Sequence, residues 1–261
     1  MLVDTHCHLD APEFDGDREQ VVARAQAAGV TAVVVPAVAR FNFESTLDMA
    51  RRHGCVVAFG LHPIYIDQHQ EHDLALLRDW VAAHRPSAIG EIGLDGFVPG
   101  LDMARQTHFF VEQLKIARDF DLPVLLHIRK SQDLVLKHLR RIGVRGGIAH
   151  AFNGSWQQAE MFMQLGFKLG FGGAMTFERA LRIRDLAAHL PETAIVLETD
   201  APDISPAWAY QQRNEPAHLP RIADELARLR GVSVADLARQ TCRNACSVLP
   251  ALEHQHWTYH P

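Results

Sequence analysis

The chain has 261 residues, of which 48% are hydrophobic and 22% are charged. These are ordinary values for a globular protein and exclude a disordered, collagen-like or coiled-coil chain. The formal net charge of −5 excludes a positive field over the whole molecule, so a nucleic-acid substrate would need a local device such as metal ions or a few arginines. The four cysteines show no paired CxxC spacing, and we find no signal peptide and no apolar segment long enough to span a membrane. We expect a cytoplasmic protein with free thiols.

Short β-branched segments alternate with longer segments of helical periodicity along the chain. Strands are predicted at 2–8, 31–38, 55–60, 88–93, 123–128, 146–152, 167–172 and 194–199. Helices are predicted at 18–28, 43–52, 73–84, 102–120, 131–142, 155–165, 177–189, 216–230 and 233–249.

Strict alternation of strands and helices predicts a parallel sheet with helical crossovers. Eight such units in a chain of 261 residues are typical of a (β/α)8 TIM-like barrel, an α/β fold, and a doubly wound open sheet is the alternative. We expect a single barrel domain at 1–252, with an extra C-terminal helix, and a loosely ordered tail at 253–261.

Side chains that can bind metal ions follow five of the predicted strands, at their carboxyl ends. They are His6 and His8 after the first strand, Glu91 near the end of the fourth, His127 and His150 at the ends of the fifth and sixth, and Asp200 after the eighth. In a β/α barrel these strand ends converge on one face, where active sites are built. Because His6 and His8 are two positions apart on a strand, we expect both to point to the same side.

Four imidazoles and two carboxylates are more ligands than one catalytic metal usually takes from a protein. Two divalent cations that share a bridging carboxylate would use the whole set. Glu91 is the natural bridge between a site of His6, His8 and Asp200 and a second site of His127 and His150. Zn, Mn and Ni suit imidazole and carboxylate ligands, and Mg suits sites in which oxygen dominates. A lone histidine at a strand end is more often a hydrogen-bonded structural residue, so the prediction depends on all six lying on one face.

Several short motifs also occur in a fixed order. They are DTHCH at 4–8, GLHP at 60–63, GEIGLD at 90–95, ETDAP at 198–202 and RNEP at 213–216. With them, about residues 1–250 resemble the TatD family, metal-dependent hydrolases and TatD-like deoxyribonucleases of the amidohydrolase superfamily. The resemblance implies a barrel, metal ligation by the same six residues and phosphodiester hydrolysis, usually of DNA and at its 3′ end. Related binuclear enzymes bridge their metals with a carboxylated lysine, whereas no lysine ends the predicted fourth strand here and Glu91 takes that place.

The expected mechanism is attack on phosphorus by a hydroxide held by two divalent cations, with Asp200 and Glu91 as the catalytic residues. Asp200 would serve both as a ligand and as the base. His62 is a candidate hydrogen-bond donor to a phosphate or a leaving-group acid. Arg129 is a candidate to bind a phosphate through two parallel N–H groups. Asp95 is a candidate to orient a ligand, with a turn or capping role as the alternative.

The sequence leaves the substrate open between DNA and a small phosphodiester, and it predicts no membrane partner. A hydrolase of a small cyclic amide, ester or lactone would use the same metal site, and a metal-stabilised adaptor without turnover is a further alternative. Trp208 is the best candidate among the tryptophans for stacking on a base. The native metal and the oligomeric state do not follow from the sequence.

Overall fold

The computed structural model describes residues 1–254, and within them eight strands alternate with α-helices. The strands are β1 (Leu2–Asp4), β2 (Val30–Pro36), β3 (Val56–Phe59), β4 (Ala88–Asp95), β5 (Val124–Arg129), β6 (Gly147–Ala149), β7 (Phe167–Phe171) and β8 (Ile195–Leu197). The helices are α1 (Arg18–Ala27), α2 (Phe43–His53), α3 (Glu71–His84), α4 (Met103–Asp119), α5 (Gln132–Ile142), α6 (Trp156–Gln164), α7 (Leu181–His189), α8 (Leu219–Arg230) and α9 (Val234–Val248).

The strands form one parallel sheet in which each strand pairs with the next strand along the chain. The last strand returns to the first, because the backbone N–H of Thr5 donates to the carbonyl oxygen of Leu197 at 3.0 Å. The sheet therefore closes on itself. This confirms the predicted (β/α)8 barrel and excludes the doubly wound open sheet.

The interior of the barrel is filled by aliphatic side chains from its strands. They include Val3, Val34, Ala58, Leu125, Ile148 and Val196. The same cluster continues into α9 through Cys242, Ala245 and Leu249. A cavity beside α9 is lined by Met1 and Val30, which lie at the amino ends of β1 and β2. The predicted extra C-terminal helix thus covers the amino end of the barrel and leaves the carboxyl end for the polar residues.

The helices begin and end where local chemistry predicts. Asp102 caps α4 with a carboxylate oxygen that accepts from the N–H of Ala104 at 2.8 Å. Ser155 and Gln158 form a capping box at the start of α6, in which each side chain accepts a hydrogen bond from the backbone N–H of the other. Gly231 ends α8 at a φ of 66°, in the left-handed region that glycine enters freely.

Some element ends differ from the prediction. β1 ends at Asp4 instead of residue 8, because the backbone beyond it leaves the ladder and the N–H of His8 donates to the carbonyl of Ala201 at 2.8 Å. α8 begins at Leu219, after a 3-10 turn at Pro216–His218. Glu253 belongs to another such turn, Pro250–His254, and the predicted tail lies from residue 255 onward outside the described residues. No helix within residues 1–254 has the length and hydropathy needed to cross a bilayer.

Candidate metal centre

The carboxyl ends of β1 and β8 are joined by the buried side chain of Asp4. Its two oxygens accept hydrogen bonds from the N–H and the hydroxyl of Thr199, at 2.9 and 2.6 Å. The N–H of Asp200 donates in turn to the carbonyl of His6 at 2.8 Å. These bonds hold the segments of His6, His8 and Asp200 side by side. The two histidines converge as predicted, but beyond the end of β1, so strand alternation is not the cause.

Glu91 projects from β4 and is the common neighbour of several imidazoles. Its Oε2 lies 3.0 Å from Nε2 of His6 and 3.3 Å from Nε2 of His8. Its Oε1 lies 2.8 Å from Nε2 of His150, 3.1 Å from Nε2 of His62 and 3.1 Å from Nδ1 of His127. Each oxygen of this buried carboxylate therefore faces its own group of imidazoles, as a carboxylate shared by two cations would.

Asp200 lies between the two groups. Its Oδ1 is 3.6 Å from Nε2 of His6, 3.8 Å from Nε2 of His8 and 3.8 Å from Nδ1 of His150. Burial raises the pKa of Asp200 to about 6, and positive charge on His150 and His8 opposes that rise. A carboxylate in this position is suited both to hold a cation and to exchange a proton near neutral pH.

The side chains fit divalent cations better than they fit hydrogen bonds alone. A carboxylate offers about four lone-pair sites, and five ring nitrogens lie within 3.3 Å of the oxygens of Glu91. The Nδ1 atoms of His6 and His150 are buried and have no hydrogen-bond partner within residues 1–254. Candidate ligand atoms also converge to within 4.8 Å of one another in three groups: His6, Glu91 and His150; His6, His8 and Asp200; and His62, Glu91 and His127.

His62 takes part in the centre as a hydrogen-bond donor. Its Nδ1 accepts from the backbone N–H of Ile64 at 3.1 Å, so in the neutral ring the proton is on Nε2. This Nε2–H donates to Glu91 and has no lone pair for a cation, although His62 belongs to one of the three groups. Burial lowers the pKa of His62 to about 4, so the ring is neutral at pH 7.

Asp95 fixes the orientation and the proton position of the His127 ring by accepting a hydrogen bond from its Nε2–H. Its Oδ2 accepts from Nε2 of His127 at 2.9 Å, while its Oδ1 accepts from the N–H groups of Phe97 and Val98 at 2.7 and 2.8 Å. Burial alone would raise the pKa of Asp95, but these hydrogen bonds lower it. The Nδ1 atom of His127 is then left to face Glu91 with its lone pair. Orienting a ligand and forming a turn were alternatives for Asp95 in the sequence, and the structure shows one carboxylate making both contacts.

We expect Asp95→Asn to weaken metal binding by about 10- to 100-fold, the usual effect of losing an outer partner of a ligating histidine. The amide oxygen of asparagine can accept either from Nε2–H of His127 or from the N–H groups of Phe97 and Val98. The amide nitrogen then faces the other of these two contacts, where a donor meets a donor. Calorimetric titration of Mn²⁺ into the two proteins measures the difference. Asp102→Asn is the matched control, because Asp102 only caps α4. Equal Mn²⁺ affinity of Asp95→Asn and the parent protein would contradict this role.

Protons on buried histidines balance the carboxylates when no cation is bound, and hydrogen bonds to Asp95 and Glu91 raise the pKa of His127 against the effect of burial. Burial alone would lower the pKa of His8, but its hydrogen bond to Glu91 and the charges of Glu91 and Asp200 raise that pKa to about 9. The same carboxylates overcome burial at His150 and raise its pKa to about 10. Burial prevails at His6 and lowers its pKa to about 3. Cations and these protons therefore compete for the same side chains.

Metal uptake at pH 7 should release at least two protons, because the pKa values of His8 (about 9) and His150 (about 10) lie above that pH and the pKa of His127 is raised as well. Metal affinity should accordingly rise with pH, since fewer protons must leave. Calorimetry in buffers of different ionisation enthalpy measures the release. A binding heat that does not depend on the buffer would show that these histidines are already neutral.

Two buried residues that received no role in the sequence support the centre. Glu198 lies 4.0 Å from Nδ1 of His150, and burial raises its pKa to about 8. Asn214 donates through Nδ2 to the carbonyls of Thr199 and Asp203 at 2.8 and 2.9 Å, which fixes the segment of Asp200. Both residues belong to the sequence motifs at 198–202 and 213–216, which could have marked them as part of the site. The spacing of these motifs does not show which side chains or carbonyls they contact.

An open cleft of about 1280 Å³ at the carboxyl end of the barrel is lined by His8, His62, Glu91, His127, His150 and Asp200. The predicted phosphate contact Arg129 is on its rim, with its guanidinium 3.7 Å from the centre of the Phe97 ring. Trp208 is not part of the cleft lining; it packs beneath Arg221, whose guanidinium lies 4.1 Å from the ring centre. The position of Trp208 outside the cleft therefore does not support a role in stacking on a base.

The chain matches the family model of the TatD related DNases over residues 3–250. It is 41% identical to the uncharacterized metal-dependent hydrolase YjjV of Escherichia coli K12, over 93% of this chain and 95% of that protein. The crystal structure of that YjjV superposes with a TM-score of 0.92 at 39% identity and covers 95% of this chain and 98% of its own.

Two further relatives have names that state an activity. The deoxyribonuclease TATDN3 of Homo sapiens is 31% identical, over 97% of this chain and 96% of its own length. The 3′-5′ ssDNA/RNA exonuclease TatD of Cronobacter sakazakii is 34% identical, over 94% and 96%. With the barrel and the site described above, these comparisons show that the chain belongs to the TatD family of metal-dependent hydrolases.

Proposed function

We propose that this protein is a deoxyribonuclease that removes nucleotides from the 3′ end of DNA with the help of two divalent cations. The observation that carries the proposal is Glu91, whose two oxygens face separate groups of imidazoles at the base of an open cleft. The names of TATDN3 and of the Cronobacter TatD supply the choice of DNA and of the 3′ end.

We assign the ligands to two sites that share Glu91. His6, His8 and Asp200 would hold one cation, and His127 and His150 would hold the other. Divalent cations at such a site neutralise charge on the phosphoryl oxygens and make water acidic enough to supply a nucleophile at neutral pH. Their identity is left to experiment, since Zn, Mn, Mg and Ni all suit this mixture of nitrogen and oxygen ligands.

The protein's own side chains supply proton transfer and orientation. Asp200 would take the proton from the attacking water, because its carboxylate lies beside both groups of imidazoles that would hold the cations. The Nε2–H of His62, which donates to Glu91 in this structure, would donate to a phosphoryl oxygen once a cation occupies that Glu91 oxygen. A neutral ring suits a donor, whereas a pKa of about 4 makes His62 a poor leaving-group acid at pH 7. Asp95 would act through His127, as a positioning residue.

The cleft favours a polyanion over a small neutral amide or lactone. Three cationic side chains line it, namely Arg129, Lys130 and Arg182. The guanidinium of Arg129 packs on the ring of Phe97 and has no hydrogen bond or ion pair within residues 1–254, so its N–H groups are available to a phosphate. Because the chain has a net charge of −5, it needs a local group of positive charges such as this rim to bind nucleic acid.

Digestion of 5′-labelled single-stranded DNA tests the proposal. Protein stripped with a chelator is supplied separately with Mg, Mn and Zn, beside Asp200→Asn prepared in the same way. We expect stepwise shortening of the labelled strand by the parent protein alone, with at least one metal. No cleavage with any metal, or equal cleavage by both proteins, would reject the DNase and favour a small-molecule hydrolase on the same barrel.

A further inference from the structure

One aromatic ring on the rim of the cleft is exposed and backed by cations. Phe97 follows β4, lines the cleft and leaves 47% of its surface in solvent. The guanidinium of Arg129 lies 3.7 Å from its ring centre, and Nζ of Lys130 lies 4.8 Å from it. Each cation carries its charge against the π-face of the ring. An exposed phenyl ring held in this way is suited to stacking with another flat ring.

The position of this ring is fixed by the fold. The N–H of Phe97 donates to Oδ1 of Asp95 at 2.7 Å, and Oδ2 of the same carboxylate holds His127. Gly96 packs against β5, where a Cβ would lie 2.8 Å from the carbonyl oxygen of Lys130. One carboxylate therefore ties the exposed ring to a predicted metal ligand.

The charges around the cleft are divided between its sides. Arg129 and Lys130 follow one another at the end of β5 beside Phe97, whereas Glu13 and Asp203 belong to the segments that follow β1 and β8. The third cationic side chain, Arg182, lies on α7 and donates to Oδ1 of Asn153. The phosphates of a nucleic-acid strand would be attracted to the first side and repelled by the second. A strand that passes the cations places its unpaired bases within reach of the ring.

We propose that Phe97, backed by Arg129, is a stacking platform for an unpaired nucleobase at the 3′ end of the substrate. The proposal rests on the proposed function and adds the residue that would bind the last, unpaired base of the strand. Stacking on an aromatic ring or an arginine plane tolerates every base, because every base has a π-face. A paired terminal base has its faces covered by the duplex and would first have to separate from its partner.

A second exposed ring that lines the cleft is an alternative site for base stacking and has to be tested beside Phe97. Phe41 is 64% exposed, and its ring centre is 5.6 Å from that of Tyr65 in an edge-on contact. Phe41→Leu therefore accompanies Phe97→Leu, since leucine keeps an apolar side chain but has no π-face. Tyr210→Leu is the matched control, because Tyr210 is 58% exposed and is not part of the cleft lining.

Stacking is measured without turnover. Each leucine variant is made in an Asp200→Asn background and mixed, with Mn²⁺ present, with a single strand that carries 2-aminopurine at its last or its next-to-last position. Stacking quenches the fluorescence of this base. We expect quenching on binding to the Asp200→Asn protein, its loss in Phe97→Leu, and its retention in Phe41→Leu and Tyr210→Leu. Thermal unfolding confirms that each variant is folded.

Kinetics with otherwise wild-type protein provide the second readout. Phe97→Leu should raise KM for an ordinary single strand about tenfold, within the range for one lost base–aromatic stack. It should leave KM unchanged for a strand whose last two positions are abasic. Quenching retained in Phe97→Leu or lost only in Phe41→Leu, or a KM raised equally for both strands, would overturn the platform. Quenching that depends on Phe97 in a protein that cleaves no DNA would support the platform and reject the proposed nuclease.

Discussion

Asp200→Asn is expected to lower kcat on single-stranded DNA by about 10³-fold, within the range attributed to a positioned base. Asparagine keeps the shape of the side chain but cannot accept the proton that the carboxylate takes from water. It also removes a negative charge within 3.8 Å of His6, His8 and His150, so one cation site is weakened as well. Single-turnover digestion at saturating Mn²⁺ separates the chemical defect from weaker metal binding.

Asp203→Asn is the matched control for that variant. Asp203 is exposed and lines the same cleft three residues away, and its side chain is not part of the three candidate ligand groups. We expect its kcat to stay within about twofold of the parent value, since surface substitutions have small effects. Equal losses of kcat in the two variants would show that the effect comes from the charge of the cleft. An Asp200→Asn variant with the kcat of the parent protein would show that Asp200 takes no part in the chemical step.

Glu91→Gln should have the largest effect on metal binding, because both sites lose their shared ligand. The loss should exceed the roughly 100-fold that an outer partner such as Asp95 contributes. An amide offers one neutral oxygen and turns its N–H₂ toward one group of imidazoles, so that group loses its acceptor. The metal content of dialysed protein, measured by atomic emission, should fall for both cations together.

The same substitution should reduce the proton release that accompanies metal uptake. The charge of Glu91 raises the pKa of His8 and of His150, so both pKa values should fall without it, although Asp200 still raises them. Glu13→Gln, at an exposed carboxylate of the same cleft, should bind metal as the parent does. If Glu91→Gln kept one cation at full occupancy, Glu91 would belong to a single site.

The sequence predicted the barrel because alternation of strands and helices is a periodic signal that survives errors at individual ends. That the six predicted ligands lie together could be predicted for a related reason: strand ends meet on one face, so position along the chain is enough to group His6 with Asp200. The exact end of β1 could not be found, since it depends on which carbonyl receives the N–H of His8.

Other features of the site depend on contacts that no spacing encodes. The tautomer of His62 follows from one backbone N–H, that of Ile64, against its Nδ1. The double contact of Asp95 requires the turn after β4 to bring two N–H groups to one oxygen. Phe97 carries no sequence signal of exposure, and Trp208 was preferred because it lies in a loop after the predicted eighth strand. Local packing decided each of these cases.

The central claim is that two cations share Glu91, and anomalous diffraction from crystals grown with Mn²⁺ tests it directly. The account predicts two anomalous peaks, one on each side of the Glu91 carboxylate. His6, His8 and Asp200 should surround the first, His127 and His150 should surround the second, and Nε2 of His62 should ligate neither. A single peak, or a Mn²⁺ ion bound through Nε2 of His62, would contradict it.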